Sequence, residues 1–333
     1  MIALSRTIHG QQIMTQAVKI PIGISRCLLG ENVRYNGDHK HNRFCTSVLS
    51  DYFDFVPTCP EVEIGMSVPR KPIRLVDFGN DIRAVESDDP SKDYSIPLQQ
   101  KGHDYATGNN DICGFIATPN SPSCGVFGVK LYLPNGNPIN KTEGLFARAL
   151  RRANPLLPIE ESGRLNDAGL RENFIVRVFT LYRWKQMLES GLSAAALVDF
   201  HSRNKYLVMS RNYEAYKTLG RMVARLDKPD LKKTADTYIE TLMAALAVPP
   251  KRGSQCNVLQ HLMGYLKHEL SGRDKQELLA SIEDYRKGII PLIVPIALLR
   301  HHFEKEAEQH TYPLQQHYLA PYPHELGLRS HVH

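Results

Sequence analysis

Three short apolar runs in the first half of this chain each end at a cysteine. Residues 20–25 lead into Cys27, residues 53–57 into Cys59, and residues 112–117 into the loop Asn120-Ser121-Pro122-Ser123-Cys124-Gly125. A further apolar run, 126–133, follows that loop. Apolar runs of this length, bounded by Pro and Gly, read as buried strands. In open α/β sheets, ligand sites gather at the carboxyl ends of the strands. The pattern therefore predicts that three thiols, far apart in sequence, meet at one sheet edge.

The rest of the first half has the same grammar. Residues 73–78 and 82–86 read as strands joined at Gly79-Asn80, a hairpin signal. Residues 46–52, 94–107 and 142–152 read as helices, the last with Leu145, Phe146, Ala149 and Leu150 on one face. This predicts a Rossmann-like α/β domain built on a mostly parallel sheet. Pro155 and Pro158 then break the pattern, and residues 160–167 are polar. Beyond them helical period takes over, with helices expected over 170–190, 194–209, 213–226, 231–247, 257–270, 275–287 and 292–309. Ser193 and Asp230 stand where helix caps belong. The expected organisation is an extension over residues 1–18, an α/β domain over 19–162 and an all-α domain over 163–333.

At 333 residues, two domains are the natural division. No apolar stretch of about 18 residues is present, so no membrane span is expected. The first residues lack the apolar core and cleavage site of a secretory signal, and Met14 is an alternative start. Six cysteines are too few for a disulfide framework in a chain this long. A reducing cytoplasm is the default setting, where grouped cysteines serve metal binding or catalysis. Cys45, Cys113 and Cys256 lie inside apolar or helical patterns and read as small core side chains. For Cys27, Cys59 and Cys124 the spacing alone leaves both readings open.

The net charge of +6 is concentrated. Residues 201–233 contain nine basic residues, Arg203, Lys205, Arg211, Lys217, Arg221, Arg225, Lys228, Lys232 and Lys233, against three acidic ones. Tyr206, Tyr213 and Tyr216 are interleaved among them. Such a stretch is either a solvated helical face or a nucleic-acid surface. Arg34, Asn36, Asp38, His39 and His41 crowd the loop after the first cysteine, where they either contact a ligand or are simply solvated. His201 and Lys205 share a helix face, a spacing more often structural than functional.

Four ordered motifs carry a family resemblance. They are Ser25-Arg26-Cys27-Leu28-Leu29-Gly30, Val33-Arg34-Tyr35-Asn36-Gly37, Cys59-Pro60-Glu61-Val62 and Ser121-Pro122-Ser123-Cys124-Gly125. Together they resemble the thiouracil desulfidase (TudS-like) family over about residues 20–160. Phe200-His201, Lys205-Tyr206, Asn257-Val258-Leu259, His261, Gly264-Tyr265, Tyr285-Arg286, Gly288 and Pro291-Leu292 resemble the YbgA-like helical domain. The long two-domain architecture is similar to the tRNA 4-thiouridine desulfidases (RudS-like).

The resemblance implies a [4Fe-4S] cluster held by Cys27, Cys59 and Cys124, with one iron left open. It implies a non-redox removal of sulfur, in which a thiophilic metal binds a thiocarbonyl and water attacks the carbon. Glu61 is then the expected acid or base, and Ser121 the hydroxyl facing substrate or relaying a proton. Ser123 is expected instead to satisfy the turn's backbone. The expected partner is tRNA, bound by the basic stretch. The competing expectations are a desulfidase of free thiouracil or thionucleosides, and a non-catalytic RNA-binding protein with a structural metal. Glu63-Ile64-Gly65 departs from the glycine-rich sequence common in the short members.

Overall fold

The computed structural model describes residues 19–79, 81–226 and 230–331; the expected extension over 1–18 and Lys228 lie outside them. The chain builds eight strands before it commits to helices. In order these are β1 (Ile20–Ser25), α1 (Arg43–Ser47), β2 (Phe53–Thr58), α2 (Pro60–Glu63), β3 (Ile73–Asp77), β4 (Ile82–Glu86), α3 (Ser95–Gly108), β5 (Phe115–Ala117), β6 (Val129–Tyr132), β7 (Pro138–Thr142), α4 (Leu145–Ala153) and β8 (Ile159–Glu161). The helical half is α5 (Ala168–Glu189), α6 (Ala194–Met209), α7 (Tyr213–Ala224), α8 (Leu231–Leu246), α9 (Arg252–Met263), α10 (Gly272–Lys287), α11 (Ile293–Lys305) and α12 (Thr311–Leu314).

The strands divide between two sheets, where the sequence pattern predicts one. The first, in the order β2-β1-β5-β8, is parallel throughout. Its central strands are apolar on both faces because helices cover both. On one face, Tyr105 of α3 and Phe146 of α4 pack around Phe115 with centroids 5.7 to 5.8 Å apart. The Tyr105 hydroxyl donates to the Val56 carbonyl at 2.7 Å. On the other face lies α5, the first helix of the all-α half, with Phe179 packed on Phe53.

The second sheet, β4-β3-β6-β7, is mixed, since hairpins pair β3 with β4 and β6 with β7 while β3 and β6 run parallel. It closes over a small core of its own, including Leu75, Ala84, Leu98 and Leu131. An antiparallel hairpin needs only a tight turn, supplied by Gly79 at φ 89°, and so it can form away from the parallel sheet.

The helices begin close to their expected positions. Ser193 caps α6, accepting from the Ala196 amide at 3.1 Å, and Asn212 caps α7 in the same way. Asp230 makes no such side-chain bond at the start of α8. Trp184, Phe200 and Tyr238 stack at the centre of the helical half, with centroids 5.1 to 6.2 Å apart. The last residues carry no helical period, yet Tyr318, Leu319, Tyr322, Leu326 and Leu328 are buried. No described helix is long and apolar enough to cross a membrane.

One glycine fixes how closely α5 approaches the parallel sheet. A Cβ at Gly114 would stand 2.8 Å from Val178 Cγ2 and 3.2 Å from Phe174 Cζ, both on α5. Gly114→Ala is expected to cost about 1–3 kcal/mol by overpacking. A urea unfolding midpoint equal to that of the wild type would show that the helix yields freely.

Candidate active site

Parallel pairing sets the site. Ile20 to Ser25 of β1 pair in register with Phe53 to Thr58 of β2, and Gly23-Ile24 with Phe115-Ile116 of β5. The three strands therefore end at one level on one edge, and Cys27, Cys59 and the loop carrying Cys124 follow those ends. Cys27 and Cys124 are buried and Cys59 is partly so. Burial pushes all three thiols above their ordinary pKa, with Cys124 raised furthest. Cys27 further raises Cys59, and both further raise Cys124, so the three lie within electrostatic reach of one another. Cys45 and Cys113 are raised to about 12 and about 11 by burial, with none of these thiols acting on them.

The Cys124 loop is held from three sides. Asn120 enters it at φ 62°. The first amides of α4 donate to its carbonyls, Leu145 to Pro122 at 3.0 Å and Ala147 to Ser123 at 3.1 Å. Glu161, at the end of β8, accepts from the Val126 and Phe127 amides at 2.7 and 3.1 Å. There is no space for a side chain at Gly144, where a Cβ would strike the Ser123 backbone.

The two serines have different tasks from those the sequence predicts. Ser121 Oγ accepts from the amides of Ser123 and Cys124 at 3.3 and 3.1 Å, so it is the hydroxyl that satisfies the turn. Its own O–H remains available to donate. Ser123, fully buried, donates to Glu61 Oε1 at 2.5 Å. The other carboxylate oxygen, Oε2, takes Arg70 Nε at 2.8 Å and Nη2 at 2.6 Å. Glu61 and Arg70 expose only 13 % and 6 % of their side chains, which makes this a held pair rather than a solvated one. Glu63 is a structural group, accepting from Thr58 Oγ1 and the Cys59 amide and pairing with Lys101. It anchors the short helix that carries Glu61.

Two contributors escape the sequence pattern. Arg70 lies nine residues from Glu61 with no motif to announce it. Thr118 lies 91 residues from Cys27, with its Oγ1 2.9 Å from the thiol. Of the polar loop after Cys27, Arg34 is the residue whose charge lowers the Cys27 pKa, together with Lys40. Asn36, Asp38, His39 and His41 are exposed, and Asp38 accepts from the His39 amide while His41 lies 2.9 Å from Thr46 Oγ1.

The basic stretch is not one uniform surface. Arg211 turns inward to Ser210, the Leu207 carbonyl and Asn173. Arg203 pairs with Asp199 and Lys217 with Glu214. Lys205 Nζ lies 5.0 Å from the ring centroids of Tyr206 and Tyr312. Arg221, Arg225, Lys232 and Lys233 are exposed and make no ion pair with another described residue. His201 is buried, its Nδ1 3.2 Å from the Tyr238 hydroxyl.

No three Cys, His, Asp or Glu side chains among the described residues are grouped to hold a metal ion. A tetrahedral ion bound at about 2.3 Å needs its thiolates roughly 3.8 Å apart. A polynuclear iron–sulfur group gives each thiolate its own iron and spreads its ligands more widely. Three thiols gathered at one sheet edge, within electrostatic reach of one another, are the kind of donor set that an iron–sulfur group takes.

A family model described as 2-thiouracil desulfurase matches residues 22–162. Residues 22–162 therefore resemble the 2-thiouracil desulfurase family. A second model, a protein of unknown function designated DUF1722, matches residues 205–323. The chain thus resembles a desulfurase domain followed by a YbgA-like helical region. The uncharacterized protein YbgA of Escherichia coli (strain K12) is 28% identical over 159 residues, which are 47% of this chain and 93% of that protein. Among solved structures, a [4Fe-4S]-dependent thiouracil desulfidase, TudS, is 26% identical and matches with a TM-score of 0.35, over 45% of this chain and 95% of its own.

The buried histidine behind the desulfurase domain makes a pH prediction. Burial, aided by the Lys205 charge, lowers His201 to about 4. The unfolded chain therefore binds this proton between pH 6.5 and 4 while the folded chain does not. Its stability contribution is complete above the unfolded value and is lost as pH falls, by up to about 3 kcal/mol. His201→Gln is expected to flatten that part of the stability–pH profile, measured by urea unfolding at pH 7, 5.5 and 4. An unchanged slope would place the acid sensitivity elsewhere.

Proposed function

We propose that this protein removes sulfur from 4-thiouridine in tRNA, leaving uridine, by a hydrolysis in which Cys27, Cys59 and Cys124 hold a [4Fe-4S] cluster. The observation that carries the reading is the common edge of β1, β2 and β5, which sets three coupled thiols beside a fixed carboxylate. When bound, the cluster supplies a thiophilic Lewis acid with one iron open to a thiocarbonyl.

The chain's own residues provide the rest. A thiocarbonyl and water give a carbonyl and hydrogen sulfide, with no electrons gained or lost. The water must lose a proton as its oxygen attacks the carbon. Glu61 Oε1 is the acceptor, since Arg70 makes two bonds to Oε2 while Oε1, which accepts from Ser123, keeps a second lone pair. Ser121 turns its remaining O–H toward the departing sulfur. Arg34 and Lys40 favour the thiolate at Cys27, and a cationic centre among the three cysteines does so more strongly.

The RNA part of the proposal rests on the helical half. Arg221, Arg225, Lys232 and Lys233 lie exposed where α7 ends and α8 begins, and Tyr213 is exposed at the opposite end of α7. Backbone phosphate neutralisation supplies sequence-independent affinity, and aromatic rings stack on splayed bases. A base buried in folded tRNA must be turned out before its sulfur can reach a sheet edge. Holding the RNA during that step is a task for a separate surface.

The test is nucleoside analysis of thiolated tRNA after incubation with anaerobically reconstituted protein, alongside free 2-thiouracil. Uridine is expected to replace 4-thiouridine with release of sulfide. Glu61→Gln should slow the reaction by about 10²–10⁴-fold. Reversing the charge at Arg221, Arg225, Lys232 and Lys233 should weaken tRNA binding with iron content unchanged. Turnover of the free base alone would assign the enzyme to salvage, and no turnover of either would remove the catalytic reading.

A further inference from the structure

A second charged site lies in the helical half. Where α5, the end of α6, the start of α9 and the chain's last turn come together, they leave a cavity of about 210 Å³. Its lining includes Glu172, Asn173, Arg211, Arg252, Gln255 and Arg329. Three guanidinium groups thus share one cavity with one carboxylate.

That carboxylate is already committed. Glu172 Oε1 accepts from Arg329 Nε at 2.7 Å, and the pair is nearly enclosed, with 14 % and 5 % of the side chains exposed. Arg329 Nη1 donates onward to the Tyr318 carbonyl. Arg211 is left with neutral acceptors: Ser210 Oγ at 3.0 Å, the Leu207 carbonyl at 3.2 Å and Asn173 Oδ1 at 3.4 Å. Burial lowers Arg211 to about 10, with the Glu172 charge opposing the shift and that of Arg329 adding to it. Arg252 makes no ion pair or side-chain hydrogen bond with another described residue. Its guanidinium is seated against Gly288, at φ 76°, where a Cβ would strike it. Neither Arg211 nor Arg252, both lining the cavity, forms an ion pair with another described residue.

Neutral donors point to the same ligand. Gln255 is 5% exposed, and its side-chain oxygen takes the Tyr318 hydroxyl at 2.7 Å, leaving its amide N–H₂ without a described partner. The same residue is the first of α9 to bond back to the preceding turn, through its own amide to the Lys251 carbonyl. No side chain caps the helix before it. The amides of Arg252, Gly253 and Ser254 are therefore left for something else, and a helix start with open amides favours an oxyanion.

We propose that this cavity binds a small phosphate, either inorganic phosphate or a phosphate monoester, through Arg211, Arg252, Gln255 and the first turn of α9. A tetrahedral oxyanion accepts from donors converging on several sides, and paired guanidinium groups suit its geometry. The cavity admits a phosphate with a small substituent and is too confined for a folded RNA helix. Binding at this junction would join α5, which covers the parallel sheet, to α9 and the chain's last turn.

Calorimetric titration of the full-length protein with inorganic phosphate, at ionic strength held constant with chloride, tests this. Saturable binding with a Kd of about 1 mM or tighter is expected, weakened about tenfold or more in both Arg211→Gln and Arg252→Gln. Arg252 is only partly buried, so its variant remains informative if loss of Arg211 disturbs folding. A short oligoribonucleotide should leave phosphate binding unchanged. No heat beyond the chloride control, equal affinity in the two variants, or displacement by the oligonucleotide would each overturn the proposal.

Discussion

Parallel pairing of β2, β1 and β5 is the constraint on which the rest of the molecule depends. Strands that run parallel and in register must finish on the same edge. A cysteine one or two residues past the end of β1 and of β2 is carried to that edge by the backbone alone. The third arrives on a loop, and that loop needs more support. It receives amides from α4 and a carboxylate from β8, the neighbouring parallel strand. Burial opposes ionisation of the thiols, and they oppose one another's. A cationic centre reverses both effects at once.

The carboxylate beside the thiols follows from the same edge. Glu61 sits on the short helix that opens directly after Cys59, with Pro60 at its first position. Glu63 anchors that helix to its own start, and Arg70 and Ser123 hold Glu61 from opposite sides. A buried carboxylate with one charged and one hydroxyl partner is kept in a single orientation, which is what proton transfer to or from a fixed point requires. The helical half takes part in this scaffold as well. Through α5 it covers one face of the parallel sheet, so its basic turn is carried on the same continuous core as the cysteine edge.

Much of this was legible in the residues because it is local. A run of apolar residues that stops at a cysteine states both the strand and its end, and helical period states α5 to α8 to within a few residues, while α9 runs over 252–263 against the expected 257–270. Cap chemistry was less reliable: Ser193 does the work expected of it, whereas Asp230 does not. Contacts between distant segments were not legible. Nothing in spacing says that Arg70 and Ser123 meet Glu61, or that Thr118 meets Cys27, and it is Ser121 rather than Ser123 that satisfies the turn's amides. Composition likewise counted Arg211 among a basic run, although the fold turns its guanidinium inward. The division of the strands into two sheets depends on which hairpins close, and period alone carries no such information.

The account is tested most directly by iron and sulfide content after anaerobic reconstitution of six single Cys→Ser variants. Serine at 27, 59 or 124 is expected to abolish or sharply reduce cluster incorporation while the helical signal is retained. Serine at 45, 113 or 256 is expected to leave the iron-to-protein ratio at the wild-type value. Full cluster loading in any of the first three, or loss confined to one of the second three, would contradict a metal centre built on the common edge of the parallel strands.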